Sequence, residues 1–119
     1  MKIIVCGGRD FDDYELVCDA LDDFVLEKCP NGSIDLDLVI QGGADGADEL
    51  AADWAKARGV PCLEVPADWR KHGSAAGPIR NAKMLAYLPD CVIAFPGGKG
   101  TADMVAKARQ AGVRVEEIK

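Results

Sequence analysis

Short runs of apolar, often β-branched residues alternate along this chain with longer segments in which apolar positions recur every three or four residues. The short runs predict strands, and the longer segments predict helices. Because helical segments separate the strands, the pattern indicates a parallel sheet with crossover helices. Five strands are predicted, at residues 2–6, 36–41, 60–65, 91–95 and 113–117.

Four helices are predicted from the same periodicity, at residues 12–28, 47–58, 77–88 and 102–111. In the first of these helices, Asp12 or Asp13 can cap the first turn. The segments 29–33 and 66–77 are predicted to be loops, the former because it contains a proline and a glycine. The buried stripe of the first helix is predicted to consist of Tyr14, Val17, Leu21 and Phe24.

The count and order of these elements predict an α/β fold in which a doubly wound, parallel five-stranded sheet has helices on both faces. For this count the usual strand order is 3-2-1-4-5. The chain has 119 residues, of which 49% are hydrophobic, and this length and composition predict a single domain over residues 1–119.

The charge balance and the apolar runs exclude several classes of partner. Twenty acidic and fourteen basic residues give a net charge of −6, which argues against binding to an extended nucleic acid. The apolar runs are too short to span a membrane, and Met1-Lys2 leads into the first strand without a signal peptide. We therefore expect a soluble, cytoplasmic protein with no membrane partner.

The five cysteines and the single histidine bear on metals and on redox state. The cysteines are odd in number and contain no Cys-x-x-Cys pair, so we interpret them as core residues in a reducing compartment. His72 is the only histidine, and no cysteine pair has ligand spacing. We therefore predict no metal site and no cofactor.

Glycine-rich turns follow the first, second and fourth predicted strands. The carboxyl ends of parallel strands lie at one edge of the sheet, where ligands bind at the point of strand-order reversal. Backbone amides at such turns approach an anion closely, and the helix dipole adds to the attraction. A small anionic ligand, with its phosphate at residues 97–101, is therefore predicted. The candidate residues in these turns are Gly7, Gly8, Arg9, Asp10, Gly42, Gly43, Asp45, Gly46, Pro96, Gly97, Gly98, Gly100 and Thr101.

Several side chains near this edge allow two interpretations each. Arg9 and Arg80 either grip a phosphate or are ordinary surface arginines. Asp10 and Asp45 either accept hydrogen bonds from ribose or base, or cap helices, and capping is favoured for Asp45. Trp69 either stacks on a base or covers the sheet edge. No residue is assigned a catalytic role, and neither the Gly-x-Gly-x-x-Gly fingerprint nor a P-loop is present.

Five motifs resemble the short YspA-like branch of the SLOG superfamily, which also includes the Lonely Guy phosphoribohydrolases and the Smf/DprA proteins. The resemblance implies a Rossmann-like domain that binds nucleotides or nucleotide-derived molecules, and it adds Asn81 to the ligand-binding candidates. The motifs are Gly7-Gly8-Arg9-Asp10-Phe11, Gly42-Gly43-Ala44-x-Gly46-Ala47-Asp48, Ala67-Asp68-Trp69, Gly77-Pro78-x-Arg80-Asn81-x-x-Met84 and Phe95-Pro96-Gly97-Gly98-x-Gly100-Thr101.

The resemblance also separates three candidate functions. Lonely Guy enzymes carry a catalytic glutamate where this chain has Met104, and a lysine where it has Asn81. Cleavage of the N-glycosidic bond of nucleoside 5′-monophosphates would then need Asp103 or Asp10, and helical geometry predicts that Asp103 points elsewhere. Binding or sensing of a nucleotide is the first hypothesis. One alternative is an enzyme that cleaves the N-glycosidic bond of nucleoside 5′-monophosphates. The other is a homodimeric interaction module in a phage or bacterial conflict system.

Overall fold

The computed structural model describes residues 1–28 and 36–119, so the predicted loop 29–33 lies outside the described residues. The strands are β1 (Lys2–Cys6), β2 (Leu38–Gln41), β3 (Cys62–Glu64), β4 (Cys91–Ala94) and β5 (Arg114–Glu117). The helices are α1 (Tyr14–Lys28), α2 (Ala47–Arg58), α3 (Trp69–His72), α4 (Ala76–Leu85) and α5 (Lys99–Gln110), with one 3₁₀ turn at Gly73–Ala75.

The five strands form one parallel sheet in the order β3-β2-β1-β4-β5, which confirms the predicted fold. Strand β1 lies in the centre, where Ile4 pairs with Ile40 of β2 on one side and with Val92 of β4 on the other. The strand order reverses between β1 and β4. The carboxyl ends of these two strands therefore flank the crevice in which doubly wound folds bind ligands.

The alternation of side chains along the central strands divides the core into two layers. Ile3 and Val5 face a layer that contains the apolar stripes of α1 and α2. Ile4 and Cys6 face the opposite layer, which contains Met84 of α4. Helices therefore cover both faces of the sheet. None of the helices in the described parts of the chain is long and apolar enough to cross a membrane.

The segment 66–77, predicted to be an irregular loop, contains α3 and the 3₁₀ turn. Asp68 starts α3 because its carboxylate accepts a hydrogen bond from the amide of Lys71 at 3.1 Å. A helix of four residues is too short to show an apolar period, which is why the sequence pattern missed it.

Smaller differences concern the ends and faces of helices. Helix α5 begins at Lys99, three residues before the predicted start. Asp13 rather than Asp12 caps α1, since its Oδ1 accepts the amide hydrogen of Leu16. Tyr14 was assigned to the buried stripe of α1 but is 37% exposed, because it is the first helical residue and precedes the packed turns.

Candidate functional site

A cleft of about 980 Å³ opens at the carboxyl ends of β1 and β4. Its walls are the loop after β1, the loop after β4 with the first turn of α5, and the segment from Trp69 into α4. The volume lies within the range of small-molecule sites. Eleven of the fifteen candidate residues from the sequence line this cleft: Gly7, Gly8, Arg9, Asp10, Arg80, Asn81, Pro96, Gly97, Gly98, Gly100 and Thr101.

A second cavity of about 310 Å³ adjoins the cleft beside the loop after β2. It brings together three further candidates, Gly42, Gly43 and Asp45, and it shares Arg9, Trp69 and Arg80 with the larger cleft. Gly46, the remaining candidate, lines neither cavity.

Backbone hydrogen bonds hold the three glycine-rich junctions together. The amide of Gly8 donates to the carbonyl of Pro96 at 2.8 Å, which joins the loop after β1 to the loop after β4. The carbonyl of Gly8 accepts hydrogen bonds from the amides of Phe11 and Ala47, both at 3.2 Å. The loop after β1 is therefore fixed to the start of α2 as well.

Packing alone accounts for three of the glycines. A Cβ atom on Gly7 would lie 2.6 Å from that of Ala47, and one on Gly97 would lie 2.6 Å from the amide nitrogen of Gly8. Gly46 has a φ of +77°, and a Cβ there would collide with the carbonyl oxygen of Gly8. Glycine is required at these positions because atoms of a neighbouring segment occupy the space that a Cβ would need.

Gly98 and Gly100 differ from these three glycines. Apart from the neighbouring residues and the backbone of α5 itself, a Cβ on either residue would meet no atom of the described protein within 4 Å, and neither has a positive φ. Both line the cleft at the start of α5. No side chain of a described residue caps this helix, whose N-cap residue is Gly98. The first amides of α5 thus lack intrahelical partners at the wall of the cleft, where the helix dipole attracts negative charge.

Arg80 is held by the loop after β2. Its Nη1 donates to the carbonyl of Gly42 at 2.9 Å, and its Nε donates to Oδ1 of Asn81 at 3.0 Å. Its Nη2 makes no hydrogen bond to any described residue and remains available to an anion. The guanidinium is therefore fixed in place with one donor group free.

The side chain of Asn81 forms its hydrogen bonds with other groups of the protein. It is 3% exposed, and its Nδ2 donates to the carbonyl of Gly100 at 3.2 Å and to Oδ2 of Asp103 at 3.0 Å. The side chain joins α4 to the first turns of α5. Its structural role is to position the α5 end of the cleft.

The prediction that Asp103 points elsewhere is wrong. Asp103 lines the cleft, whereas Met104 is fully buried in the core layer with Met84. Partial burial raises the pKa of Asp103, whereas the hydrogen bonds from Lys107 and Asn81 lower it. The lowering outweighs the rise, so the pKa of Asp103 is below its ordinary value. The cleft therefore contains an ionised carboxylate that directly precedes Met104 in the chain.

The interpretation of Asp45 as a helix cap is also wrong. Gly46 is the N-cap residue of α2, and no side chain of a described residue makes the cap hydrogen bond. Asp45 and Asp10 are both exposed at the cavities. Their carboxylates make no hydrogen bond to a described residue.

Asp48 is a site residue that was not selected from the sequence. It is 7% exposed, and its Oδ2 accepts a hydrogen bond from the amide of Ala44 at 3.2 Å. Burial raises the pKa of Asp48, while the Ala44 amide and the positive charges of Arg80 and Arg9 oppose that rise. The sequence feature that could have identified Asp48 as a site residue is its place in the Gly42–Asp48 motif.

Cys6 forms part of the cleft floor as an uncharged thiol. Burial, with a smaller contribution from the charge of Asp48, raises its pKa to about 12. A nucleophilic thiolate is therefore disfavoured.

Arg9 and Trp69 form a contact between two walls of the cleft. The guanidinium carbon of Arg9 lies 5.3 Å from the centroid of the Trp69 ring, within the range of a cation–π interaction. Trp69 is 48% exposed, whereas Trp54 is 1% exposed and belongs to the core.

Comparisons with known proteins agree with this architecture. The chain is 36% identical to the Gene 61 protein of Mycobacterium phage D29 over 96% of its length and 93% of the relative. The X-ray structure of DNA processing protein A (DprA) from Streptococcus pneumoniae superposes with a TM-score of 0.72 at 18% identity, over 99% of this chain. The chain spans only 50% of that DprA chain.

A second solved structure, the structural genomics target TM1055, superposes with a TM-score of 0.63 at 23% identity, over 97% of this chain and 72% of the other. Both structural likenesses concern the fold alone. The family model described as "YspA, cpYpsA-related SLOG family" matches residues 1–72. This match covers more than half of the sequence and includes the first three of the five motifs, and the chain belongs to the YspA, cpYpsA-related SLOG family.

Proposed function

We propose that the protein binds or senses a nucleotide or a nucleotide-derived molecule in the cleft, with the phosphate at the start of α5. The observation that carries this proposal is that Gly98 and Gly100 line the cleft although neither contact with another part of the protein nor a positive φ accounts for glycine there. Membership of the SLOG family supports a nucleotide-related function in general.

A phosphate suits this end of the cleft for electrostatic reasons. The first turn of α5 offers uncapped backbone amides, and absent side chains at Gly98 and Gly100 let an anion approach them. Arg80 contributes a free Nη2, and Lys99 and Arg9 line the same cleft. The carboxylates of Asp10, Asp48 and Asp103 line the same cleft, so the attraction for an anion is confined to the first turn of α5 and the free edge of Arg80.

The substitution Gly98→Ala tests this proposal without disturbing the fold. The new methyl group would meet no protein atom, so the free energy of unfolding should change by less than about 1 kcal/mol. A phosphate in contact with the Gly98 backbone would be displaced. We therefore expect calorimetric titration with nucleoside monophosphates to show at least about tenfold weaker binding, and Gly98→Asp to abolish it.

The matched control is Lys83→Ala, which removes an exposed positive charge of α4 outside both cavities. This control should bind like the parent protein. Unchanged affinity in both Gly98 variants would contradict the phosphate assignment.

The position of Asp103 favours a second candidate function, hydrolysis of the N-glycosidic bond of a nucleoside 5′-monophosphate. An ionised carboxylate can accept a proton from a water molecule that attacks the anomeric carbon, while the bond to the base breaks and its electron pair leaves with the base. Free base should then appear in a proton NMR time course, and Asp103→Asn should stop its release while ligand-induced line broadening persists. Line broadening in the parent protein without free base would reject this alternative and leave a binding function.

A further inference from the structure

We propose that Arg9 and Trp69 form the surface on which the nucleobase of the ligand stacks. The inference rests on the proposed function and deepens it, because it assigns the part of the cleft that distinguishes a nucleotide from any other phosphate. The two side chains come from different segments of the chain, contact each other, and both line the cleft and the second cavity.

Trp69 offers an aromatic surface to the cavities. Its ring lines both of them and is 48% exposed, although tryptophan is among the residues that gain most from burial. Bases stack readily on such rings, since every base has a π face. A planar ligand would cover apolar surface that the protein leaves in water.

In the described part of the chain, the guanidinium of Arg9 contacts the Trp69 ring, and its charge also acts on the carboxylate of Asp48. This guanidinium makes no hydrogen bond or ion pair with any residue in the described ranges 1–28 and 36–119. A cation–π contact does not use the N–H donors of a guanidinium, so they stay available to a ligand. Arg9 can therefore extend the stacking surface and at the same time donate hydrogen bonds to a base or a phosphate.

The backbone on both sides of the contact is fixed before any ligand arrives. Gly8, which precedes Arg9, is bonded to Pro96 and Ala47. Trp69 begins α3, which Asp68 caps. A Cβ on Gly77 would lie 3.3 Å from Cη2 of Trp69, so the glycine leaves room for the indole against the start of α4. A preorganised surface costs less entropy when it binds a ligand.

Ribose 5-phosphate, which has a phosphate and a sugar but no base, separates base recognition from phosphate recognition. We would measure its dissociation constant by calorimetry beside those of the four common nucleoside 5′-monophosphates, and take the ratio to the tightest of them. Stacking on one ring predicts a ratio of at least about fivefold for the parent protein. Trp69→Leu should bring the ratio close to one and leave the affinity for ribose 5-phosphate unchanged. Trp69→Phe should keep most of the parent protein's ratio.

The control is Tyr87→Leu, which removes an aromatic ring of similar exposure, 44%, outside both cavities. Its ratio should equal that of the parent. Tryptophan fluorescence gives an independent measure, because Trp69→Phe leaves only the buried Trp54, and quenching by the nucleotide should disappear.

The outcomes separate the two proposals. If the parent protein binds ribose 5-phosphate as tightly as the nucleotides, or if Trp69→Leu keeps the full ratio, the stacking assignment is wrong and the phosphate site stands. If the parent protein binds none of the five compounds, the proposed function fails and this inference fails with it.

Discussion

The side-chain amide of Asn81 donates a hydrogen bond to the carboxylate of Asp103 at 3.0 Å, and so connects α4 to α5 beneath the candidate phosphate site. The same amide reaches the carbonyl of Gly100, and its oxygen accepts from Arg80. The buried side chain of Asn81 therefore links the guanidinium of Arg80, the carboxylate of Asp103 and the backbone carbonyl of Gly100.

We expect Asn81→Leu to lower the free energy of unfolding by about 1–3 kcal/mol, because the substitution keeps the volume but removes three hydrogen bonds to the partly buried groups that Asn81 joins. Urea unfolding measures the effect. The control is Gln110→Leu, which removes an exposed amide near the end of α5 and should change stability by no more than about 0.5 kcal/mol. Equal effects of both substitutions would show that the bridge does not contribute to stability.

Gly46 and Gly59 form a matched pair for testing junction packing. Both have positive φ values, +77° and +71°, but only Gly46 has backbone atoms where a Cβ would lie. Gly59→Ala should cost about 1–2 kcal/mol of stability from backbone conformation. Gly46→Ala should cost about 1–3 kcal/mol more, because the methyl group displaces the loop after β1. Chemical denaturation of the two variants compares them directly, and similar losses would refute the packing argument.

The raised pKa of Asp48 predicts a specific dependence of stability on pH. The folded state holds the Asp48 proton more tightly than the unfolded state, whose pKa is near 3.8. The contribution of Asp48 to the free energy of unfolding therefore falls as the pH rises from that value through the raised pKa. Asp48→Asn removes this contribution. We expect the stability of the variant, relative to the parent protein, to increase between about pH 3 and about pH 7.

The control for this pH series is Asp53→Asn, which removes an exposed carboxylate from the same helix. A general effect of net charge would appear in both variants. If the two variants follow the same pH profile in urea unfolding, burial of Asp48 does not explain the trend.

The buried position of Met104 predicts that a Lonely Guy-like glutamate cannot be restored by one substitution. Met104 is fully buried in the layer that contains α4 and α5. Met104→Glu would place an unpaired charge there and should lower the free energy of unfolding by about 3 kcal/mol or more. Met104→Leu should cost less than about 1.5 kcal/mol. Thermal unfolding compares the variants, and a Met104→Glu protein as stable as Met104→Leu would show that this helix can rotate.

The fold could be predicted because the strands at the centre of the sheet are buried on both faces and appear as short continuous apolar runs. The number of strands and the helices between them leave few possible topologies. Because the carboxyl ends of parallel strands lie at one edge of the sheet, residues 7–10 then lie opposite residues 96–101. The same rule predicts that the three glycine-rich junctions share one edge of the sheet.

The directions of single side chains were less predictable. The rotation between consecutive helical residues predicts that Asp103 points away from the direction of Met104. Gly100 lies three residues before Asp103, on the same face of α5, and lines the cleft, so it indicates the direction of Asp103 better. Asp45 failed as a cap because the backbone contact between Gly46 and Gly8 fixes the start of α2 instead. Such contacts join residues far apart in sequence, so local patterns do not contain them.

The hydrogen bond from Gly8 to Pro96 joins two loops that lie near opposite ends of the chain. The cleft therefore does not exist in any half of the protein and disappears whenever β4 separates from β1. A compound that binds there must stabilise the whole native state by mass action. Its identity can accordingly be sought by screening metabolites for a rise in melting temperature, with no assumption about what the protein does to them.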